Sequence, residues 1–144
     1  MAITKVPARD FTIEIKTAEP STFTPIGGLN SLSHSPSNNT ADTTDFDSAG
    51  RAEHLVMERG DSWTIAGRHL EDAATGDRDP GQAAVEALAK SVGLASMGTF
   101  QITSPGGNKV TFEASAEVTL AGGGHNDPAA WQAVLTVSGE ISYA

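Results

Sequence analysis

Cysteine is absent from the 144 residues, so this sequence offers no disulfide framework, no thiolate nucleophile and no cysteine-ligated metal site. Basic side chains are scarce: 9 Lys and Arg stand against 18 Asp and Glu, for a formal charge of −9. Binding nucleic acid through its phosphates needs a basic face, and an acidic surface repels DNA instead. Long apolar runs are missing too. No stretch approaches the roughly 18 to 20 residues of a membrane helix. MAITKVPARD lacks the apolar core of a secretory signal, so a cytoplasmic chain with no membrane partner is expected. Neither a G-x-S-x-G elbow nor a glycine-rich phosphate loop occurs, and no catalytic residue or cofactor is expected. Aromatics make up only 6%, which argues against a glycan-binding face of exposed rings: Trp63, Trp131, Phe100 and Phe112 share registers with aliphatic residues and read as buried. Phe46 and Tyr143 remain as exposed rings.

What is present is mainly strand pattern. One domain over 1–144 is expected, because a chain of this size buries roughly 68% of its unfolded surface in a single core. The organising stretch is RAEHLVMERGDSWTIAGRHLED, 51–72. In it His54, Val56 and Glu58 alternate with Glu53, Leu55 and Met57, and Trp63, Ile65 and Gly67 with Thr64, Ala66 and Arg68. It reads as two long strands folded about Arg59-Gly60-Asp61. A small chain cannot pair and cover a hairpin that long, and an open edge invites another copy to add. Ahead of it, 10–18 reads as a strand with Phe11, Ile13 and Ile15 on one face. After the Glu19-Pro20 break, Thr22 to Ile26 reads as a weaker strand ending at Gly27-Gly28, a pair suited to positive φ, and Leu29 to Ser35 resumes the sheet. The run PSNNTADTTDFDSAG, 36–50, has almost no large apolar side chain and reads as a long polar loop, or an arm that orders against a neighbour. Within it, 40–47 can pair as an irregular strand once a partner is bound.

The clearest local signal is a helix start. Asp79 is placed to cap, Pro80 occupies the first helical position, and Gln82 follows three after the cap as in a capping box. The helix is predicted over 80–92, ended by Gly93, with Val85, Leu88, Ala89 and Val92 forming one apolar stripe. Glu86 and Lys90 form an exposed pair worth roughly 0.3 kcal/mol. Packed on a sheet, this helix makes Leu88→Asp a substitution expected to unfold the domain. Three strands follow, Gly98 to Ser104, Lys109 to Leu120, and one from Trp131 to Ile141. On the second, Val110, Phe112, Ala114, Ala116 and Val118 make an apolar face and Thr111, Glu113, Ser115 and Glu117 a polar one. The fold class read from this pattern is mainly β with one α-helix.

Sharper motifs have plainer rivals. Arg59-Gly60-Asp61 spells an adhesive tripeptide but has turn chemistry first. Asp45, Asp47 and Gly50 start a calcium loop that fails at Ala49 and at Val56, where the bidentate glutamate belongs. His34, His54, His69 and His125 form no i,i+4 zinc pair, and His69 with Glu71 and Asp72 reads as a solvated edge. Glu113, Glu117 and Glu140 lie on an open strand face where nothing desolvates them, so they do not read as an acid and base pair.

The order of these signals is similar to that of a known family. IGGLNSLSHSPSNNTADTTDFDSAGRAEHLVMERGDSWTIAGRHLED, then TGDRDPGQAAVEALAKSVG and TFQITSPGG, resembles the tail tube (major tail) proteins of long non-contractile-tailed bacteriophages. The likeness covers Ile26 to Gly107, and the closing strands more loosely. It implies a β-sandwich or barrel-like domain with one flanking helix, in a virion protein, assembled in the host cytoplasm, that polymerises as stacked six-membered rings whose inner wall is a β-barrel built from several subunits. The implied partners are itself, a tape-measure protein, a tail terminator and distal tail or baseplate proteins, with double-stranded DNA passing through unbound. An acidic lumen would let DNA slide, which makes Glu113, Glu117 and Glu140 lumen candidates. Stacking would fall to the polar segment, with Asn38, Asn39, Thr40, Asp42, Asp45, Phe46 and Asp47 as contact candidates. The rival reading is a small β-sandwich binding or adhesion module decorating a particle.

Overall fold

The computed structural model describes residues 3–16, 22–122 and 124–144. The expected end of the first strand at Ala18 and the Glu19-Pro20 break lie outside the described residues. Seven strands are present among them: β1 (Thr12–Lys16), β2 (Phe23–Pro25), β3 (Leu29–Asp42), β4 (His54–Arg68), β5 (Met97–Thr103), β6 (Lys109–Ala121) and β7 (Ala130–Tyr143). One α-helix, α1 (Pro80–Ala89), lies between β4 and β5 in the chain. The strands form a single antiparallel sheet in the order β2-β1-β5-β6-β7-β4-β3.

The period-two pattern puts one continuous apolar face across this sheet. Ile13 registers with Ile102, Ile15 with Phe100, Phe100 with Phe112, Ala116 with Leu135 and Ala133 with Ile65. All are buried. The Trp63 and Phe112 rings stack with centroids 5.9 Å apart. Trp63 registers with Leu135 and Leu135 with Ala116, four residues along from Phe112. A flat sheet would hold the two residues roughly 16 Å apart. The sheet therefore curls around its own apolar face. Its borders approach as well: β1 and β3 are five places apart in the order, roughly 24 Å on a flat sheet. The link 26–29 stitches across, with Ile26 N donating to Ile13 O at 2.9 Å and Arg68 N donating to Gly28 O at 2.8 Å. Gly28 takes the expected positive φ, 75°. The result is one curled, barrel-like sheet rather than two facing sheets, the second of the two forms that the resemblance implies.

The helix closes on this seam. Asp79 Oδ2 accepts from Gln82 N at 3.1 Å and also from Gly27 N at 3.0 Å, so one carboxylate caps α1 and holds the link. Gly81 lies so close to Pro25 and Ile26 that a Cβ there would stand 2.3 Å from the Pro25 carbonyl oxygen. Val85 is wholly buried, while Leu88 and Ala89 pack at the core's margin.

Several sequence expectations are corrected. There is no turn at Arg59-Gly60-Asp61: β4 runs through it as one strand of 15 residues, with Gly60 opposite Ser37. Nor is 36–50 one loop. Its first part, Pro36 to Asp42, continues β3 and pairs with Asp61 to His54, broken only by a bulge between Asn39 and Thr40. Pro36 is tolerated because β3 is a sheet edge, where a missing N–H need leave no ladder bond unmade. The helix ends at Ala89 rather than at 92, and Val92 is exposed. Gln82 does not complete a capping box but is buried among backbone groups of other elements. Glu86 pairs with Arg78, Nη1 to Oε2 at 2.9 Å, in place of Lys90.

Leu88 is half-buried against Gly98, so a carboxylate there keeps a route to water. For Leu88→Asp the expected loss is therefore about 2 to 3 kcal/mol, seen by circular dichroism as a melting temperature roughly 6 to 10 °C lower, and not outright unfolding.

Candidate assembly surface

β4 pairs with β7 only over Ser62 to Arg68, but with β3 from His54 to Gly67. The outer halves, Pro36 to Asp42 and His54 to Asp61, thus leave the sheet as a two-stranded arm, roughly 23 Å long at strand spacing. One edge of the arm belongs to β3 and the other to β4, and among the described residues neither is paired with a further strand. Leu55, Val56 and Met57 are exposed on it, Met57 at 65%. An isolated two-stranded hairpin is marginal in water, so the arm's order needs support at both ends.

At the root, His34 Nε2 and Asp61 Oδ1 lie 2.7 Å apart, and the His34 ring stacks on Trp63 with centroids 4.4 Å apart. Midway, Asn39 Nδ2 donates to Glu58 Oε2 at 2.9 Å. At the tip, Thr43 N donates to Glu53 O at 3.0 Å, and Glu53 N donates to Thr44 Oγ1 at 2.8 Å. The Asp42 carboxyl is held below the ordinary aspartate range by hydrogen bonds from Thr44, its hydroxyl foremost and then its backbone N–H at 2.9 Å, with a smaller effect from His54. A 3-10 turn, Phe46–Ser48, completes the tip, with Asp45 Oδ1 accepting from Asp47 N at 3.0 Å.

The seven contact candidates therefore share one arm but in two settings. Asn38, Asn39, Thr40 and Asp42 are on strand β3, and Asp45, Phe46 and Asp47 are in the tip turn. Leu55 and Met57, on the facing strand, join them on the arm. Sequence reasoning misses these two because a turn at Gly60 would fold them into a separate hairpin.

Glu113 and Glu117 are exposed on the face of β6 away from the core. Glu113 shares a cross-strand row with Thr99, Lys16 and Ser138, and Glu117 one with Val134, Thr64 and Ser33. That face is rich in hydroxyls. Glu140 is exposed but sits apart from these rows, where β7 makes a bulge with Gly139 at φ 84°. Among the described residues no group of three His, Asp or Glu stands close enough to hold a metal ion. His34 and His69 each meet one carboxylate, His69 Nε2 lying 3.8 Å from Glu71 Oε1.

No protein-family model and no curated protein matches the chain. Solved structures do. A chain from the tail of an empty GTA particle of C6 symmetry superposes with a TM-score of 0.76 at 23% identity, over 97% of this chain and 99% of that one. The fold is one found in virion tails. A chain from the virion of a native gene transfer agent gives 0.70 at 21% identity, over 97% and 99%. One from the baseplate of the anti-feeding prophage gives 0.64 at 10% identity, over 100% and 97%. This tail-type fold thus also occurs in a contractile-type particle, so it does not carry the narrower expectation of a long non-contractile tail.

Proposed function

We propose that the chain is a structural subunit that polymerises, through stacked six-membered rings, into the tube of a phage-like tail. The carrying observation is the arm: a long ribbon with two unpaired edges and an exposed Leu55-Val56-Met57 run, which no described strand of the same subunit completes. Edges of this kind are satisfied when copies add around a rotation axis, which makes the contact heterologous and closes it into a ring. The virion-tail fold, seen in a particle of C6 symmetry, supports six as the ring number. The partners that go with this reading are a tape-measure protein, a tail terminator and distal tail or baseplate proteins, and the non-contractile type is its narrower form. Purified protein examined by size-exclusion chromatography and negative-stain microscopy tests the proposal: rings or hollow tubes support it, and monodisperse monomers at millimolar concentration end it.

Within a tube, the hydroxyl-rich face carrying Glu113 and Glu117 suits a channel wall, because it offers DNA neither a run of cations nor apolar footholds. The double substitution Glu113→Lys, Glu117→Lys is expected to leave tubes intact, since both side chains are exposed. DNA passage should then slow at low salt and recover as ions screen charges beyond about 8 to 10 Å. Equal ejection rates at all salt concentrations would place the two residues outside the channel.

A further inference from the structure

We infer that Phe46 is an anchor of the contact between copies, seated in the groove that runs between the N-terminal 3-10 turn, Ala8–Asp10, and the start of β3 in a second copy. The inference rests on the self-assembly reading above. Phe46 lies wholly in solvent, at 106% relative exposure. Yet it is not on a slack loop. Asp45 Oδ1 accepts from Asp47 N at 3.0 Å and from Ser48 Oγ at 3.2 Å, while Ser48 Oγ accepts from Asp45 N at 3.1 Å, closing the turn reciprocally. Ala49 follows at φ 55°, a left-handed conformation that a residue with a Cβ adopts only under constraint. A bare aromatic ring held by so defined a turn is preorganised, and docking it sacrifices little further freedom.

The receiving groove has a volume of about 400 Å³ and is lined by Phe11, Ile13, Ile26, Leu29 and Leu32, with Arg9 as its one charged residue. Arg9 has no ion-pair partner among the described residues. Key and groove are complementary in charge as well as polarity: Phe46 is flanked by Asp45 and Asp47, and on a chain of formal charge −9 an acidic tip is repelled by most other surfaces. The subunit's own tip does not reach the groove, because from Leu32 to Asp42 the chain is strand throughout, which sets the arm's far end roughly 33 Å away; a second copy supplies the ring.

The test uses the full chain. Phe46→Ala is expected to keep the circular dichroism spectrum and melting temperature of the parent while raising the concentration needed for assembly at least about tenfold, the effect of losing an interface anchor. Arg9→Glu should do the same, and Arg9→Glu combined with Asp47→Arg should recover most of the loss. With a benzophenone amino acid replacing Phe46, irradiated assemblies should yield cross-links to peptides containing 8–13 or 26–32. Parent tubes with an unaltered Phe46→Ala threshold, or cross-links that map elsewhere, overturn this inference and leave the tube reading standing. A parent chain that never assembles overturns both.

Discussion

A chain in which Ser35 is joined to Ser62 through an Asn-Gly turn, with 36–61 removed, is expected to fold, melt within a few degrees of the parent and remain monomeric where the parent assembles. Ser35 and Ser62 are register partners, and Ser62 Oγ donates to Ser35 O at 3.3 Å, so a two-residue turn closes the ends without moving the sheet. None of the core residues lies in the deleted segment. The pair lost with it, His34 and Asp61, is partly exposed and contributes about 0 to 1 kcal/mol. Stability should therefore fall by no more than about 1 kcal/mol. Assembly should be abolished, because both open edges, the Leu55-Val56-Met57 run and Phe46 go together. Light scattering and negative-stain microscopy at matched concentration measure it, and normal tubes from the trimmed chain would remove the arm from the assembly mechanism. The register also shows where not to cut. Deleting only 38–47 strips most of β3 from the arm and leaves 54–59 bare on both sides, so that variant is expected to aggregate rather than stay cleanly monomeric.

Much of the core is legible in the amino-acid pattern alone, because Ile13 and Ile15, Phe100 and Ile102, and Phe112, Ala114 and Ala116 alternate strictly and all are buried. The helix start is legible too, since Asp79 and Pro80 act within one turn of chain. The arm is not. A glycine between two charged residues has the chemistry of a turn, but here backbone pairing with β3 continues through Gly60, which stands opposite Ser37. The polar run 36–42 carries no strand signal because both its faces meet water, leaving backbone pairing with β4 as its main support. The helix end is displaced from its expected place because Val92 continues the apolar stripe by position while Ser91 N and Lys90 N already bond back to Leu88 O and Ala87 O. The groove around Leu29 is hidden for a different reason. Its walls come from 8–13 and from 26–32, and only the curl of the sheet brings them together. Composition is enough to single out the seven polar-segment residues as candidates, while the placing of Leu55 and Met57 beside them on the arm, and of Arg9 in the groove, needs the topology.

Gln82→Leu is expected to destabilise the domain by about 3 to 6 kcal/mol, a large fraction of the roughly 5 to 15 kcal/mol that holds a domain folded. The Gln82 side chain is fully buried. Its Nε2 donates to Gly27 O at 2.9 Å and Arg68 O at 2.7 Å, and its Oε1 accepts from Leu70 N at 3.2 Å. One amide thus serves three backbone groups on the link 26–29 and at the end of β4, the two segments that the curl brings together. Leucine fills the space but leaves these groups without that partner, at about 1 to 3 kcal/mol each. Urea denaturation gives the loss directly. Gln82→Glu separates lost hydrogen bonds from disturbed packing, since the shape is nearly kept but both donors become acceptors facing two carbonyl oxygens. Arg78 Nη2, 3.5 Å from Oε1, is already drawn to Glu86 at 3.2 Å. The introduced carboxylate should be harder to ionise in the folded state than in the unfolded chain, because ionisation there sets like charges together in a buried site. A folded pKa raised in this way means that the penalty is small below the ordinary glutamate range and grows as pH rises through neutrality. The stability gap between Gln82→Glu and the parent should therefore be narrower near pH 5 than at pH 7. A gap of equal size at both would mean that packing, and not the three shared hydrogen bonds, is what Gln82 contributes to the seam.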